Sequence, residues 1–418
     1  MKVYVFEDEK YENFFPLTMT RPVYDLRTGV TTLLEKFMRA IEGDYVLHTR
    51  DYLAEVVGES HPGLPVNAPV EAEDSLFING RWMYRGEELD LDEHVAEAEG
   101  GVAYVYAKAS TMEKYRGSSI GEALKGLLGE LGRDRVEARL AEWPWDLVFA
   151  NPEMLEDDFR HIGDRGVHVD LPRSVEIMGG RDRVYIARGA KVYPNVVIDA
   201  EGGPVMIWEG ARVYPFSFIE GPGSIGPGTY VMTGAKIREG VTAGPVVRMG
   251  GEVEESIVHG YSNKYHDGFL GHAYVGEWVN LGALTTNSDL KNDYSEVVVY
   301  INGKPVKSGS IKVGSIIGDH TKTSIGTLLN TGAVIGVMCN VLSTDLSPKY
   351  IPSFTWYHNG KLSKGSGLRR MLRTAETAMG RRGRKLTEAQ RRLFKYLYEM
   401  TREEREYYIE LYAKKYRR

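Results

Sequence analysis

The stretch "EGARVYPFSFIEGPGSIGPGTYVMTGAKI" (209–237) repeats one pattern every six residues. Apolar residues recur six apart within it and just before it: Ile207, Val213, Ile219, Ile225, Val231 and Ile237. This period fits neither the 3.6-residue repeat of an α-helix nor a long alternating strand with one buried face. It is typical of a triangular parallel β-solenoid, whose coils each contain three short strands with one inward β-branched residue and small residues at the corners. The stretch therefore predicts a β-solenoid.

The same period appears on both sides of this stretch. The further inward positions are predicted at Ile186, Val192 and Ile198, at Phe269, Val275 and Leu281, and at Ile311, Ile317, Thr323, Leu329, Ile335 and Val341. We therefore predict a solenoid domain over residues 166–345. Within it, residues 287–310 break the period and contain Asn302-Gly303 after an apolar run, which is a strong hairpin signal. This segment is predicted to be an arm that projects from a coil.

The regions on either side differ from the solenoid and from each other. Residues 1–165 alternate short apolar strands with amphipathic helices, which predicts an α/β domain on a largely parallel sheet. Residues 346–418 are predicted to form a helical tail with two helices, because Thr387 with Gln390 and Thr401 with Glu404 each match a capping box. Residues 361–418 hold 18 Lys/Arg against 7 Asp/Glu, a net charge of +11 that leaves −17 for the rest. We expect the tail to pack on its own acidic body. Nucleic acid is not an expected partner, because no recognised binding module accompanies the charge.

Composition narrows the cellular setting. No window offers about 18 uncharged apolar residues, and the start of the chain lacks the basic-then-apolar order of a signal peptide. The single Cys339 excludes an internal disulfide and a multi-thiolate zinc site within one chain. We therefore expect a cytoplasmic protein without a membrane partner.

Two histidines, His266 and His272, stand six residues apart in "KYHDGFLGHAYVGEWVNLGA" (264–283). In a three-sided coil, residues six apart occupy equivalent positions on adjacent sides, about 120° apart. The pair is therefore not expected to converge on one metal ion, and no metal ligands are predicted here. The remaining alternatives are a single catalytic histidine or two surface histidines.

The stretch "YHDGFLGHAYVGEWVNLGA" (265–283) resembles the acetyltransferase half of the bifunctional GlmU-like family, which joins glucosamine-1-phosphate N-acetyltransferase to N-acetylglucosamine-1-phosphate uridylyltransferase. The matching positions are His266, Gly271, Ala273, Gly276, Val279, Asn280, Gly282 and Ala283. The resemblance implies an α/β nucleotidyltransferase-like domain followed by a left-handed parallel β-helix that assembles as a homotrimer. It implies that His266 is the general base. It also implies that acetyl-CoA is bound near Asn280, Gly282, Ala283, Thr286 and Ser324. The cations expected to hold a sugar phosphate are Arg248, Lys264, Lys291 or those of the basic tail, with Asn287 as a further substrate contact.

This sequence departs from the family pattern in two places. "GGEVEESIV" (250–258) carries Glu252, Glu254 and Glu255 where the family has lysines that hold the sugar phosphate. Near the amino terminus, "FFPLTMTRPVYDLRTG" (14–29) resembles the nucleotidyltransferase signature, but "FEDEKYEN" (6–13) replaces the Gly-rich phosphate loop. Arg81 follows Gly80 where the family has its Mg²⁺-binding aspartate, and a guanidinium does not ligate Mg²⁺. The resemblance implies a substrate contact at Arg21, and Mg²⁺ and a nucleoside triphosphate for this domain if it is active. A guanidinium does bind phosphate, so Arg81 is expected to contact a phosphate instead of a metal.

Three functional hypotheses remain open at this point. The first is a sugar-nucleotide biosynthesis enzyme that transfers an acetyl group from acetyl-CoA to an amino sugar phosphate, coupled or not to nucleotidyl transfer. The second is a sugar-1-phosphate nucleotidyltransferase whose β-helix is only structural. The third is a non-catalytic trimeric scaffold or sugar-nucleotide sensor.

Overall fold

The computed structural model describes residues 1–415, which divide into two units. The first unit consists of Met1–Phe14, Thr20–Leu26 and Thr31–Trp143. The second consists of Phe15–Met19, Arg27–Val30 and the described chain from Pro144 onward. None of the described helices is both long enough and apolar enough to cross a membrane.

The first unit is built on a six-stranded sheet. Its strands are β1 (Lys2–Phe6), β2 (Asp44–Leu47), β3 (Ser75–Asn79), β4 (His94–Ala98), β5 (Gly101–Ala107) and β6 (Arg133–Arg135). Its helices are α1 (Leu33–Ala40), α2 (Ala54–Ser60), α3 (Ala109–Met112) and α4 (Ile120–Glu130). The strand order is β2-β1-β3-β5-β4-β6. β5 runs antiparallel to both β3 and β4, while the other pairs are parallel, so the sheet is mixed. Helices and central strands bury a shared apolar core, which is why "KVYVF" shows no alternation.

The second unit begins with helix α5 (Pro144–Arg160) and continues as a left-handed parallel β-solenoid of about ten turns. In chain order its first strands are β7 (Glu176–Met178), β8 (Val184–Ile186), β9 (Lys191–Val192), β10 (Val197–Asp199), β11 (Val205–Ile207), β12 (Arg212–Val213), β13 (Phe218–Glu220), β14 (Gly223–Ile225), β15 (Tyr230–Val231), β16 (Lys236–Ile237), β17 (Val241–Ala243), β18 (Arg248–Met249), β19 (Glu252–Glu254), β20 (Ile257–Gly260), β21 (Asn263–Lys264), β22 (Phe269–Gly271) and β23 (Tyr274–Glu277). The later strands are β24 (Thr286–Asn287), β25 (Val298–Ile301), β26 (Lys304–Lys307), β27 (Ile316–Ile317), β28 (Lys322–Thr323), β29 (Leu328–Leu329), β30 (Val334–Ile335), β31 (Asn340–Leu342), β32 (Tyr350–Ile351), β33 (Trp356–His358) and β34 (Lys361–Ser363).

These strands form three faces. Face A contains β7, β10, β13, β16, β19 and β22; face B contains β8, β11, β14, β17, β20, β23, β27, β30 and β32. Face C contains β9, β12, β15, β18 and β21, and single bridges through Asn280 carry it on to β28, β31 and β33. The solenoid thus extends past residue 345, the predicted limit. The prediction ended too early because the segment "LSPKYIPSF" (346–354) lacks a clear six-residue period, although the coils continue through it.

The buried residues that point into the solenoid confirm the six-residue period. Two predicted inward positions, Phe269 and Ile311, are wrong, and a third inward position, Lys264, was missed. The predicted inward residues from Ile207 to Ile237 are all fully buried. In the later coils, Leu270 rather than Phe269 pairs with Val253 and faces the core, and Ile311 is 49% exposed. Lys264 occupies an inward position, in register with Met249. The period therefore runs from Val258 through Lys264 to Leu270. Lys264 was missed because a search for apolar residues excludes a charged one.

The predicted hairpin is present, but it does not project. β25 and β26 pair antiparallel across Asn302-Gly303, as that dipeptide predicts. Val297 and Val299 are fully buried, and Lys349 donates to the Val298 carbonyl at 3.1 Å. The apolar side of the hairpin therefore packs on its own solenoid instead of extending from it as an arm.

The described part of the chain, up to residue 415, ends in three helices where two were predicted: α6 (Leu368–Gly380), α7 (Glu388–Met400) and α8 (Arg402–Lys415). α6 follows Gly367 without a side-chain cap, so its start carried no capping signal, whereas α7 has the predicted Thr387 capping box. The Phe394 ring lies 5.3 Å from that of His320, and Tyr350 donates to Glu404 at 2.5 Å. The basic tail therefore packs on its own solenoid, as expected.

Candidate functional site

Three successive turns stack along the edge where face C passes into face A. They span residues 265–268, 282–285 and 324–327. The Leu284 amide donates to the Asp267 carbonyl at 2.9 Å, and the Gly326 amide donates to the Ala283 carbonyl at 2.7 Å. The structure therefore places His266 on the same edge as the predicted cofactor residues Gly282, Ala283 and Ser324.

The turn that carries His266 requires glycine at one position. Gly268 has a φ of +123°, and a Cβ added there would lie 2.2 Å from the Thr285 carbonyl oxygen. No side chain fits this approach between neighbouring coils. The turn "YHDG" (265–268) is thereby held tightly against the next coil, while the His266 side chain itself stays exposed and its ring centroid lies 4.9 Å from that of Tyr265.

Lys264 holds the same turn from inside the solenoid. Its Nζ donates to the carbonyls of Gly250 at 3.0 Å and His266 at 2.6 Å, and the residue is 3% exposed. Burial lowers the pKa of the Lys264 amine to about 8. The predicted substrate contact therefore has a different placement here: the amine reaches the backbone beneath His266 rather than the outer surface.

The amides of the second turn are mostly used within the solenoid. Gly282 N–H donates to Thr323 Oγ1 at 2.9 Å, and Thr285 N–H donates to the Gly282 carbonyl at 3.0 Å. With the Leu284 amide bound to Asp267, Ala283 N–H is the remaining amide of this turn for which residues 1–415 show no acceptor. A ligand oxygen on this edge would meet that donor.

Three predicted ligand residues hold the solenoid together. Asn287 is buried; its amide group accepts from Gly271 N–H at 2.8 Å and donates to the Gly271 carbonyl at 2.9 Å. Thr286 Oγ1 accepts from Phe269 N–H at 3.0 Å. The Arg248 guanidinium lies 3.6 Å above the Tyr230 ring and donates to backbone carbonyls. These contacts continue the ladders of faces A and C.

The other two predicted residues lie outside the three turns. Asn280 is exposed on face C, bridging Asn263 and Lys322. Lys291 lies beside the Ser295 hydroxyl, in the segment that leads into the hairpin.

His272 provides a positive partner for Glu255, one of the three glutamates at 252–255. His272 contacts Glu255 at 3.0 Å through Nε2 and Asp289 at 2.8 Å through Nδ1, and Lys312 lies 3.6 Å from Glu254. Burial lowers the pKa of His272, but the hydrogen bonds to Asp289 and Glu255 outweigh it and raise the pKa to about 9. The histidine is therefore a buried cation between two carboxylates. The sequence contained a signal for this cluster: Glu255 and Asp289 each lie 17 residues, or one coil, from His272.

In the first unit, Arg81 is fully buried and bound within its own unit. Its Nε and Nη2 donate to the Asp8 carboxylate at 2.8 and 2.5 Å, and its Nη1 donates to the Ala141 carbonyl at 2.6 Å. Burial raises the pKa of Asp8, but Arg81 outweighs it and lowers that pKa. Asn79 also donates to Asp8, at 2.9 Å. This arrangement does not fit Mg²⁺, because Arg81 and Asn79 already occupy the carboxylate.

Arg21, the predicted substrate contact of this unit, is also buried. Its carbonyl accepts from Arg50 Nη2 at 3.0 Å, and Arg50 in turn pairs with Glu7 at 3.0 Å. Glu7 and Asp8 belong to "FEDEKYEN" (6–13), the segment that replaces the Gly-rich loop of the family. The acidic side chains of this segment therefore form ion pairs with Arg50 and Arg81.

Comparison with known proteins agrees with the two-part organisation. Residues 3–165 match the family described as sugar nucleotidyl transferase. A bifunctional sugar-1-phosphate nucleotidylyltransferase/acetyltransferase from Sulfurisphaera tokodaii is 36% identical over 90 residues, 22% of each chain. The bifunctional protein GlmU of Methanococcus maripaludis strain S2 is 27% identical over 276 residues, 64% of this chain and 57% of the relative. The chain is similar to GlmU-like proteins. GlmU of Azoarcus sp. strain BH72 is 33% identical over 182 residues, 37% of this chain and 39% of the relative.

The chain matches only part of the length of these relatives. The matched segments cover between 22% and 57% of the three relatives' own chains. Among solved structures, Arabidopsis UDP-N-acetylglucosamine acyltransferase matches 52% of this chain and 79% of its own at 13% identity, with a TM-score of 0.23.

Proposed function

We propose that this protein transfers an acetyl group from acetyl-CoA to the amine of an amino sugar phosphate, with His266 as the general base. The observation that carries the proposal is the stacked edge, which puts His266 beside the turns of Ala283 and Ser324 in the stretch that resembles the acetyltransferases. One of the relatives named above is described as a nucleotidylyltransferase/acetyltransferase. Acetyl-CoA and sugar phosphates are cytoplasmic metabolites, so the proposed reaction implies that compartment.

The chemistry needs one base and one oxyanion donor. The amine of an amino sugar is largely protonated near neutral pH and must lose a proton before its nitrogen attacks a thioester carbonyl. In the proposed step the amine has released that proton to solvent, its nitrogen attacks the thioester carbonyl to form the C–N bond, and His266 accepts a second proton from the nitrogen while the Ala283 N–H stabilises the oxyanion. Collapse of the tetrahedral intermediate breaks the C–S bond. The coenzyme A thiolate then takes the proton from His266, which leaves an acetamido sugar phosphate and free coenzyme A.

We propose that the protein works as a homotrimer with this edge between neighbours. Apolar side chains are exposed along it next to His266: Tyr265 is 42%, Leu284 60% and Ile325 75% exposed. A solenoid edge of this kind buries its apolar residues when copies close around a three-fold axis. Light scattering should give three times the 46.9 kDa chain mass. Leu284→Arg should reduce the measured mass to that of one chain, whereas a monomeric wild type would contradict the trimer.

The direct test follows free thiol while the protein, acetyl-CoA and glucosamine-1-phosphate are incubated together. His266→Ala should lower kcat by about 10²- to 10⁴-fold, the usual contribution of a general base. His358→Ala is the matched control, because His358 is also an exposed histidine but lies in β33, outside the three turns. Absence of thiol release with every amino sugar phosphate tried, or full activity of His266→Ala, would refute acetyl transfer.

A second candidate, sugar-1-phosphate nucleotidyl transfer, is favoured by the match of residues 3–165 to the sugar nucleotidyl transferase family. The ion pair between Arg81 and Asp8 counts against a Mg²⁺-dependent form of it. Pyrophosphate release from UTP or dTTP with a sugar-1-phosphate would establish this activity. Its absence with both nucleotides would leave acetyl transfer as the proposed function.

A further inference from the structure

One row of outward side chains on face C holds a lysine between two asparagines. The strands pair in register through Asn280, Lys322 and Asn340, so neighbouring side chains in this row lie about 4.8 Å apart. Lys322 points away from the core, because the next residue, Thr323, pairs with the inward Val341. The lysine amine therefore has an amide side chain on either side.

The hydrogen bonds along this row leave donors next to Lys322. Arg382 Nη2 donates to Asn263 Oδ1 at 2.8 Å, and Asn263 Nδ2 donates to Asn280 Oδ1 at 3.0 Å. The Nδ2 group of Asn280 is then left to donate. Within residues 1–415, neither this group nor the side-chain amide of Asn340 has a protein partner for its N–H. The positions on both sides of the lysine therefore suit a group with acceptor oxygens.

Two cavities lie between this row and helix α6, with volumes of about 510 and 250 Å³, and Lys322 lines both. Four arginines from α6 and the residues directly after it line the larger one: Arg370, Arg373, Arg381 and Arg382. No aspartate or glutamate is among the described residues that line either cavity. Cations held close together without a counter-ion repel one another. A negative charge at the position of the lysine amine would therefore be favourable.

The Lys322 amine is also prepared to act as a nucleophile. Burial lowers its pKa from 10.5 to about 8, while Nζ donates to the His320 carbonyl at 2.9 Å. The charged and titratable groups that face it across the cavities are the four arginines, Tyr261 and His320. None of them is an anion that would favour the protonated amine. At pH 7.5 about a quarter of an amine with this pKa is neutral, against roughly one part in a thousand of an ordinary lysine.

We propose that Lys322 is a modification site at which carbon dioxide forms a carbamate. The Nζ lone pair attacks the carbon of carbon dioxide and an N–C bond forms. The electron pair of one C=O bond moves to its oxygen, and the nitrogen releases one proton to water. The product is an anion whose two oxygens accept from the Asn280 and Asn340 amides and offset the charge of the α6 arginines.

The surroundings of the amine select this product over other modifications. An acetyl group or an imine formed at Lys322 would place no negative charge between the two asparagines and opposite the arginines. The carbamate does so, and it links α6 to face C of the solenoid. The inference does not rest on acetyl transfer, because carbamate formation requires no catalysis by His266.

The test exposes the full-length protein to ¹³C-labelled carbon dioxide in bicarbonate buffer. Triethyloxonium then converts any carbamate to a stable ethyl ester, which peptide mass spectrometry locates. The label should appear on Lys322, and at a fixed partial pressure of carbon dioxide its amount should rise at least about tenfold between pH 6 and pH 8, as the amine loses its proton. Lys191 is the matched comparison: it belongs to the same row of face C but is exposed and lines neither cavity. It should carry no label at pH 8, and Lys191→Met should not change the labelling of Lys322.

A variant tests the asparagine next to the amine. Asn340→Asp should reduce the label on Lys322 at least about tenfold, because a carboxylate this close favours the protonated amine by one pKa unit or more and repels the carbamate. Bicarbonate should also raise the melting temperature of the wild type, relative to chloride at equal ionic strength, but not that of Lys322→Met. Melting curves confirm that each variant is folded, and the labelling of the wild type does not depend on any variant.

Several results would overturn the inference. They are the absence of label on Lys322 at saturating carbon dioxide, equal labelling of Lys191, and full labelling of Asn340→Asp. Recovery of an acetyl group instead of the labelled carboxyl group on Lys322 would also overturn it. Because the reaction needs neither acetyl-CoA nor His266, label on Lys322 should persist in His266→Ala even if no thiol is released.

Discussion

Replacing His272 by Gln tests whether a buried imidazolium holds the corner between faces A and B together. Glu255 and Asp289 each contact one ring nitrogen, at 3.0 and 2.8 Å, and His272 is 5% exposed. Gln is similar in size but cannot become cationic, so it leaves the two carboxylates without a counter-charge. Lys312, which lies near Glu254, is the other cation of this cluster and is unchanged in the variant.

The pH range follows from the shift of the pKa of His272 from 6.5 to about 9. The folded-state pKa is the higher one, so the stabilisation is fully present below pH 6.5 and is lost as the pH rises through about 9. At about 1.4 kcal/mol for each pKa unit, it amounts to about 3 kcal/mol. For a unit of this size that free energy corresponds to about 6 °C in melting temperature.

Calorimetric melting of the wild type and His272→Gln at several pH values measures this contribution. The difference in melting temperature should shrink by about 6 °C between pH 6 and pH 9.5. Lys264 and Lys322, whose pKa values are lowered to about 8, titrate in the same range. They are present in both proteins and cancel in the difference. His358→Gln, which replaces an exposed histidine, should show no such trend.

An independent measurement uses histidine labelled with ¹³C for an NMR titration. The resonance that disappears in His272→Gln belongs to His272 and should titrate near pH 9. A midpoint at or below pH 6.5, or a melting-temperature difference that does not change with pH, would refute the reasoning.

Three further predictions concern single contacts. Lys264→Met should speed amide hydrogen exchange of Leu284 about tenfold, because that amide donates to the Asp267 carbonyl in the turn that loses the Lys264 amine; unchanged exchange would argue against this support. Arg81→Met should destabilise the first unit by about 1–3 kcal/mol in urea unfolding, because the partly buried Asp8 carboxylate loses its counter-charge. A loss below 1 kcal/mol would contradict that pairing. Gly268→Ala should cost at least about 1 kcal/mol more than Gly309→Ala, since both have positive φ but only Gly268 faces a carbonyl at 2.2 Å; equal losses would exclude the clash.

Much of the fold was predictable because its determinants are local and repeat. A six-residue apolar period needs no long-range information, since each coil buries its residue against the coils directly before and after it. The Asn302-Gly303 hairpin and the Thr387 capping box are local in the same sense. The two errors in the period, Phe269 and Ile311, arose where a charged residue or an insertion interrupts the apolar row. Helix α6 was missed because no capping side chain marks its start.

In the candidate site, too, some features follow from the local sequence and others from tertiary contacts. The sequence by itself determined that a solenoid carries His266 in a stretch resembling the acetyltransferases, and that Arg81 replaces the expected aspartate. Only the tertiary structure decided which residues those side chains meet. Lys264 turns inward to hold the His266 turn, His272 becomes a cation between residues one coil away on each side, and α6 closes a cationic cleft over face C. Each of these depends on contacts between coils or between the solenoid and the helices. The charge and burial of a side chain follow from such neighbours, and a single sequence does not specify their distances.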